Sequence, residues 1–126
     1  MSFLFDTNVI IYYFNGLTAD ESIHDRLRES FRISIVTEIE FLGWGDFISQ
    51  PVLYEQAKYF MSQAMVYPLD HPIAEATIRL RQQYKTKTPD AIIAATALVH
   101  GLTVITQNTD DFTRLGVPTL TITMKP

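Results

Sequence analysis

The sequence predicts an α/β fold: a three-layer sandwich in which a mainly parallel central sheet of about five strands is flanked by helices. Apolar runs of strand length alternate with longer helical patterns, and β-branched residues are prominent in most of the short runs. Strands interleaved with helices favour βαβ units and parallel pairing. With 126 residues, 47% of them hydrophobic, and no visible linker, we expect a single domain over residues 1–126.

The strand candidates are short and mostly bounded by polar or turn residues. They lie at residues 2–5, 32–36, 65–69, 102–106 and 119–123. Helical patterns fill the intervals, near residues 7–15, 19–31, 37–48, 52–63, 71–84, 88–100 and 109–114. The alternation of strand and helix therefore continues along the whole chain.

The clearest local signal is the segment "TKTPDAIIAATALVHG" at residues 86–101. Thr88 is a natural N-cap, Pro89 suits the first helical position, and Gly101 can end the helix in a left-handed cap. The stretch between these ends is apolar except for one threonine, so we expect a helix buried on nearly every side. Asp90 stands in the first turn of that helix.

The composition excludes several classes of protein. The absence of cysteine rules out disulfides, thiolate catalysis and cysteine-ligated zinc. The apolar runs fall short of the ~20 residues that cross a bilayer, and no basic region precedes the short apolar stretch at the N-terminus. We therefore expect a protein of the cytoplasm with no membrane partner. The net charge of −4 argues at first sight against a nucleic-acid partner.

Two acidic residues stand at predicted junctions. Asp6 interrupts the apolar run "FLFDTNVIIYYF", directly after the first strand, and could cap the following helix. Asp90 is favoured by the helix dipole by ~0.3–1 kcal/mol, which alone indicates no function.

Two acidic pairs leave alternatives open. In "TEIEFLGW", Glu40 shares a mostly apolar helical face, where an unpaired carboxylate is costly, but Glu38 lies near other apolar residues and could be the inward one. Asp110 and Asp111 follow the fourth strand and could cap a short helix.

Four of these acids could converge, because the carboxyl ends of parallel strands share one edge of a sheet: Asp6 follows strand one, Asp110 and Asp111 follow strand four, and the helix of Asp90 leads into strand four. Carboxylates within a few ångströms repel one another unless a cation holds them, and all-oxygen ligands suit Mg²⁺ or Mn²⁺. Acid clusters with hard divalent ions catalyse phosphodiester hydrolysis.

The segments "FLFDTNVII", "SIVTEIEFLGW" and "KTPDAIIAATALVHGLTVITQNTDDF" resemble the successive motifs of PIN-domain nucleases, especially the VapC-type toxins of type II toxin–antitoxin pairs. The match covers nearly the whole chain in order. The resemblance implies a parallel sheet flanked by helices and a Mg²⁺- or Mn²⁺-dependent endoribonuclease that hydrolyses RNA phosphodiester bonds. It also implies a homodimer and a cognate antitoxin protein.

By motif position, the resemblance assigns four catalytic and metal-binding acids. Asp6 takes the place of the first acid, Glu40 that of the glutamate after strand two, and Asp90 that of the acid opening the buried helix. The last acid usually precedes the Phe of an "N-x-x-D-F" pattern, which selects Asp111 and leaves Asp110 as the alternate.

Polar residues beside these acids also match the family. Asn8, Thr106 and Asn108 stand at positions that support the acids in PIN domains. Gln107 departs from the pattern, because family members often have Arg there.

The net charge is explained by these acids, since removing the four leaves ten acidic residues against ten lysines and arginines. The segment "RLRQQYKTK" at residues 79–87 carries no acid and leads up to Asp90. It could hold an RNA backbone, or it could be an ordinary solvated helix face. Its basic residues are Arg79, Arg81, Lys85 and Lys87.

Other functions fit the sequence less well. A phospho-receiver-like signalling domain has similar alternation and could use Asp70, but receivers need a pair of acids after strand one, where Thr7 and Asn8 follow Asp6. A nucleotide-binding module needs a Gly-rich turn there. A PIN fold used only for protein binding is disfavoured by the presence of all four acids.

Aromatic residues are concentrated near the acids. Tyr12, Tyr13 and Phe14 fall in one short helix, and Trp44 and Phe47 follow Glu40. They could all belong to the core. The family resemblance implies instead a groove for an antitoxin segment whose Arg can reach the acids.

Overall fold

The computed structural model describes residues 2–126, which form five strands, seven α-helices and one short 3₁₀ helix. The strands are Phe3–Phe5 (β1), Arg32–Ser34 (β2), Met65–Tyr67 (β3), Thr103–Ile105 (β4) and Thr119–Leu120 (β5). The α-helices are Thr7–Phe14 (α1), Ser22–Glu29 (α2), Ile35–Leu42 (α3), Pro51–Ser62 (α4), His71–Gln83 (α5), Thr88–His100 (α6) and Thr109–Thr113 (α7), and the 3₁₀ helix is Gly45–Ser49. No helix in this part of the chain is both long and apolar enough to span a membrane.

The strands pair in parallel throughout, as predicted, but they form two sheets rather than one. One sheet has the order β1-β4-β5 and the other pairs β2 with β3. Between them, Ser30 stands in for a backbone partner: its hydroxyl accepts the N–H of Phe3 at 2.9 Å and contacts the carbonyl of Phe3 at 3.2 Å. A side chain two residues before β2 therefore bonds to β1 where a continuous sheet would have ladder hydrogen bonds.

Two apolar cores lie on opposite faces of the strands, which confirms the three-layer sandwich. Successive side chains of a strand point to opposite faces, so Leu4 packs in the core beneath α5, α6 and α7, while Phe3 and Phe5 pack in the core beneath α1 to α4. The burial of both faces accounts for the wholly buried β1.

The helix predicted over residues 37–48 is interrupted. The hydroxyl of Ser34 accepts the N–H of Val36 at 3.1 Å, so α3 begins before the predicted helix and removes two residues from the predicted strand. At the other end, a Cβ on Gly43 would lie 2.5 Å from the carbonyl oxygen of Ile39. Glycine closes α3 there, and the 3₁₀ helix follows.

Helix α6 has the predicted end, but the predicted burial holds only up to Ala97, because Leu98 and Val99 are 42% and 43% exposed. Residues 91–97 are all buried, and Gly101 closes the helix at φ 66°. The expectation that Thr88 is the N-cap is wrong by one residue, because Lys87 occupies that position and makes no side-chain cap hydrogen bond. The burial of residues 91–97 fixes the helix against its neighbours and hence the position of Asp90 in its first turn.

Candidate active site

A cavity of 830 Å³ opens beside the residues that follow β1 and β4. Acidic, basic and neutral polar side chains line it together. The polar and charged residues of its wall are Asn8, Glu40, Arg81, Lys85, Thr86, Lys87, Asp90, Asn108, Asp111 and Arg114. Three of the four predicted catalytic acids therefore share one cavity.

Asp6, the fourth acid, is buried beneath this wall, with 5% of its surface exposed. Its Oδ1 accepts the backbone N–H of Thr7 at 2.8 Å, so Asp6 is the N-cap of α1. Its Oδ2 accepts the hydroxyl of Thr106 at 2.8 Å. The capping interpretation is thus confirmed, and a second hydrogen bond connects the same carboxylate to the end of β4.

The pKa of Asp6 is raised from 3.8 to about 6. Burial is the largest cause, and the charges of Asp90 and Glu40 raise the pKa further. The hydrogen bonds from Thr106 and Thr7 act in the opposite direction because they stabilise the carboxylate. Asp6 therefore belongs electrostatically to the same cluster as the acids of the cavity wall.

Glu40 is held by a relay of hydroxyl groups between α1 and α3. The Oε1 of Glu40 accepts the hydroxyl of Thr7 at 2.7 Å, and the Thr7 oxygen lies 3.0 Å from that of Thr37. Because Thr7 gives its proton to the carboxylate, Thr37 donates to Thr7. Glu38 does not line the cavity, so the geometry distinguishes the two glutamates that the sequence left open.

Asp90 and Asp111 both line the cavity and influence each other electrostatically. The pKa of Asp90 is raised, first by partial burial and then by the charges of Asp111 and Glu40, while Lys87 and Arg114 lower it. Asp110 lines a neighbouring pocket beside Gln107, which Asp111 also lines, but Asp110 does not line the acid cavity. Of the two neighbouring aspartates, Asp111 is thus the one on the cavity wall.

The polar residues predicted to support the acids occupy different places. Thr106 is fully buried, donates to Asp6 and accepts the backbone N–H of Asn108 at 2.9 Å. Asn8 and Asn108 line the cavity. The side-chain amide of Gln107 donates to the carbonyl of Ile122.

Three of the four basic residues in the segment 79–87 line the cavity. Arg81, Lys85 and Lys87 line it, whereas Arg79 does not. Arg114 lines the same wall, although sequence reasoning did not single it out. Its place three residues after Asp111, at the end of a five-residue helix, is the signal that could have identified it.

Thr7 and Thr37 were also missed by sequence reasoning. Both are buried, and both hold Glu40 through hydroxyl groups. The available signals were the position of Thr7 directly after Asp6 and that of Thr37 three residues before Glu40, one helical turn away.

The donor chemistry of the cavity suits a hard divalent ion, because the acids offer only carboxylate oxygens. Among residues 2–126, no three aspartate, glutamate or histidine side chains lie close enough together to hold a metal as they stand. Mutual repulsion keeps uncompensated carboxylates apart.

The fold and the cavity define a parallel α/β protein whose acids gather at the carboxyl edge of its strands. The family model of the PIN domain matches residues 3–118. The chain belongs to the PIN domain family, which confirms the family that its motifs predicted. Asp70, the residue that a receiver domain could have used, caps α5 instead by accepting the N–H of Ile73 at 3.2 Å.

Solved structures share this fold over almost their full length. A chain of a toxin–antitoxin complex from Klebsiella pneumoniae is 34% identical, with 93% of this chain and 94% of that chain covered and a TM-score of 0.73. A chain of DNA-bound VapBC from Salmonella typhimurium is 24% identical, with coverage of 96% and 98% and a TM-score of 0.83. VapBC-1 from nontypeable Haemophilus influenzae is 22% identical, with coverage of 96% and 98% and a TM-score of 0.80.

The last two similarities show the fold alone. The search of the curated proteins found no match to this sequence.

Replacing Asp90 with Asn should stabilise the protein in EDTA at neutral pH. The helix dipole favours a charge in this turn, but the raised pKa shows that burial and the neighbouring acids outweigh it. A raised carboxyl pKa leaves no penalty below the unfolded value and introduces one as pH rises through the folded value. The variant should therefore melt higher at pH 7, by on the order of 2 °C, with the gap closing toward pH 4.

Differential scanning calorimetry of Asp90→Asn and its parent across this pH range measures the difference. Asp46→Asn is the matched control, because Asp46 is an exposed acid in the first turn of the 3₁₀ helix, away from the cavity. An Asp90→Asn variant that melts lower than its parent at pH 7 would show that the favourable interaction of Asp90 with the helix dipole dominates and that repulsion within the cavity is negligible.

Proposed function

We propose that this protein is a Mg²⁺- or Mn²⁺-dependent endoribonuclease and the toxin of a type II toxin–antitoxin pair. The observation that carries the proposal is the mutual electrostatic influence of Asp6, Glu40, Asp90 and Asp111 around one cavity. Membership of the PIN domain family and the 34% identity to a chain of a toxin–antitoxin complex support it.

In this proposal the same four acids would hold the divalent ion. When bound, the ion lowers the pKa of an attacking water and offsets the negative charge of the phosphodiester. The chain itself supplies fixed carboxylates: the hydrogen bonds from Thr7 and Thr106 hold Asp6, and a second bond from Thr7 holds Glu40. Each hydrogen-bonded oxygen has a further lone pair with which to bind a cation.

The RNA strand would approach over the basic part of the wall. Arg81, Lys85 and Lys87 stand on the cavity that carries the acids, so their charges attract a phosphate backbone to the site despite the overall charge of −4. Arg79, which does not line the cavity, is left out of this surface. Only Arg81 of the three lies within α5, so the cations on the cavity are not simply one solvated helix face.

The acids are tested by Asp6→Asn, Glu40→Gln and Asp90→Asn, which retain size and remove a metal-binding charge. Each should reduce RNA cleavage by at least about a hundredfold. The assay follows a panel of transfer and messenger RNAs with Mg²⁺, with Mn²⁺ and with EDTA, and EDTA should abolish cleavage by the parent.

Glu38→Gln is the matched control, because it makes the same chemical change on α3 outside the cavity. Circular dichroism should be unchanged in all four variants. Equal cleavage by Glu38→Gln and Glu40→Gln would remove Glu40 from the site, and parent activity that survives EDTA would remove the metal ion.

We propose that the antitoxin occupies an apolar groove beside the acids. The groove is a cavity of 270 Å³ that shares Glu40 as a wall residue with the acid cavity. Its apolar residues are Ile11, Phe14, Phe41, Trp44, Phe47 and Leu53. An antitoxin segment with apolar side chains and one cationic side chain would complement this wall and cover the acids.

Truncating the groove should release the antitoxin. Trp44 is 48% exposed on the groove wall, so Trp44→Ala removes contact area with little loss from the core. If the product of a short reading frame beside this gene is co-expressed, its recovery on the tagged chain should fall at least about tenfold. Tyr59→Ala, on the exposed face of α4, is the control, and equal recovery with both variants would contradict the groove assignment.

We further propose a homodimer that acts in the cytoplasm. Exposed apolar residues outside the groove support an interface, since Ile39, Ile48 and Val52 are 64%, 92% and 73% exposed. Sedimentation velocity should show a dimer at micromolar concentration. A monomer at every accessible concentration would rule the dimer out.

A further inference from the structure

The position of Arg114 is set by the core beneath it. Its backbone lies between Phe112 and Leu115, which are 1% and 3% exposed and pack in the core beneath α5, α6 and α7. The N–H of Arg114 donates to the carbonyl of Asp110 at 3.2 Å, which closes α7. The side chain therefore starts from a fixed point and extends along the cavity wall.

The guanidinium of Arg114 is oriented by one hydrogen bond. Its Nη2 donates to the carbonyl oxygen of Lys85 at 2.6 Å, across the loop that leads into α6. Within residues 2–126, this is the guanidinium's one hydrogen bond to the protein, and Arg114 forms no ion pair. Most of its N–H donors are therefore available to a ligand in the cavity.

Arg114 is close to the acids without being neutralised by them. Its charge lowers the pKa of Asp90, as does that of Lys87, although neither forms an ion pair with that carboxylate. A cation that is held by a carbonyl and forms no ion pair is available to an anionic ligand. A guanidinium also offers two parallel N–H donors to a phosphate, whereas a lysine offers a point charge.

We propose that Arg114 binds a phosphate of the RNA strand in the acid cavity and thereby positions the strand over Asp90 and Asp111. The inference rests on the proposed nuclease function and deepens it, because it names a side chain that binds the substrate. The hydrogen bond to Lys85 pre-orients the guanidinium, so less freedom is lost when the phosphate binds.

The alternative role for Arg114 is purely structural: its hydrogen bond would only hold the loop at Lys85 against α7. Arg114→Gln separates the two roles. A glutamine keeps an amide N–H donor but carries no charge for a phosphate. Arg114→Lys makes the complementary change, since it keeps the charge and loses the two-pronged geometry.

The test is binding of a fluorescein-labelled single-stranded RNA of mixed sequence, followed by anisotropy in EDTA over a range of salt concentrations. Arg114→Gln should weaken binding about tenfold. It should also reduce the slope of log affinity against log salt by about 0.7, the loss of one phosphate contact to single-stranded RNA. Arg114→Lys should restore the slope and only part of the affinity.

Arg28→Gln is the matched control, because Arg28 is an exposed arginine on α2, where its side chain is 82% accessible, and does not line the cavity. It should bind RNA as the parent does. With Mg²⁺ and cleavable RNA, Arg114→Gln should raise KM about tenfold while changing kcat little.

The outcomes distinguish the proposed nuclease function from the proposed role of Arg114. A parent that neither binds nor cleaves RNA would overturn the proposed function itself. If the parent binds and cleaves RNA, but Arg114→Gln has the same RNA affinity and salt slope as Arg28→Gln, then Arg114 does not bind a phosphate. Its role would then be only to hold the loop at Lys85. If Arg114→Gln fails to fold, parental affinity in Arg114→Lys would still exclude a two-pronged contact.

Discussion

The acid cavity depends on the buried carboxylate of Asp6. One oxygen accepts the first N–H of α1 and the other accepts the hydroxyl of Thr106, a residue 100 positions away in the chain. Asp6 also extends the parallel pairing of β1 and β4, since its backbone N–H donates to the carbonyl of Ile105 at 2.9 Å. Helix start, strand end and acid are therefore fixed by one residue.

This arrangement has a cost in stability. A pKa of about 6, in place of 3.8, corresponds to roughly 3 kcal/mol against the charged form at neutral pH. That is a large fraction of the stability of a typical domain. A simple helix cap does not need such burial, because an exposed aspartate caps as well, and Asp70 on α5 is an example in the same chain. The excess cost is what is expected of a residue retained for chemistry.

A single threonine, Thr7, forms hydrogen bonds to two of the acids. Thr7 donates its backbone N–H to Asp6 and its hydroxyl to Glu40, while the buried Thr37 donates to Thr7. Because α1 and α3 are both held in the core, the two carboxylates keep a fixed relation across the junction of the helices. Their repulsion is then compensated by fixed hydrogen bonds and by the cations of the wall, and a divalent ion would complete that compensation.

The sequence by itself determined the alternation of elements, the parallel pairing, the buried helix α6 and the order of the family motifs, because these depend on local periodicity and on short spacings. It also supplied each acid of the cavity, although it left Glu38 against Glu40 and Asp110 against Asp111 undecided. Those choices depend on the rotation of a helix about its axis, which packing against other elements sets.

Only the tertiary structure decided the division into two sheets, the bridge at Ser30, the hydroxyl relay through Thr37 and the arrival of Arg114 on the cavity wall. Each of these joins residues far apart in the chain, so no local pattern specifies it. Arg79 and Arg81 show the same limit: they stand two positions apart on one helix, yet only Arg81 lines the cavity. Residues two apart project from different sides of a helix, and which side meets the acids is fixed by how α5 packs on α6.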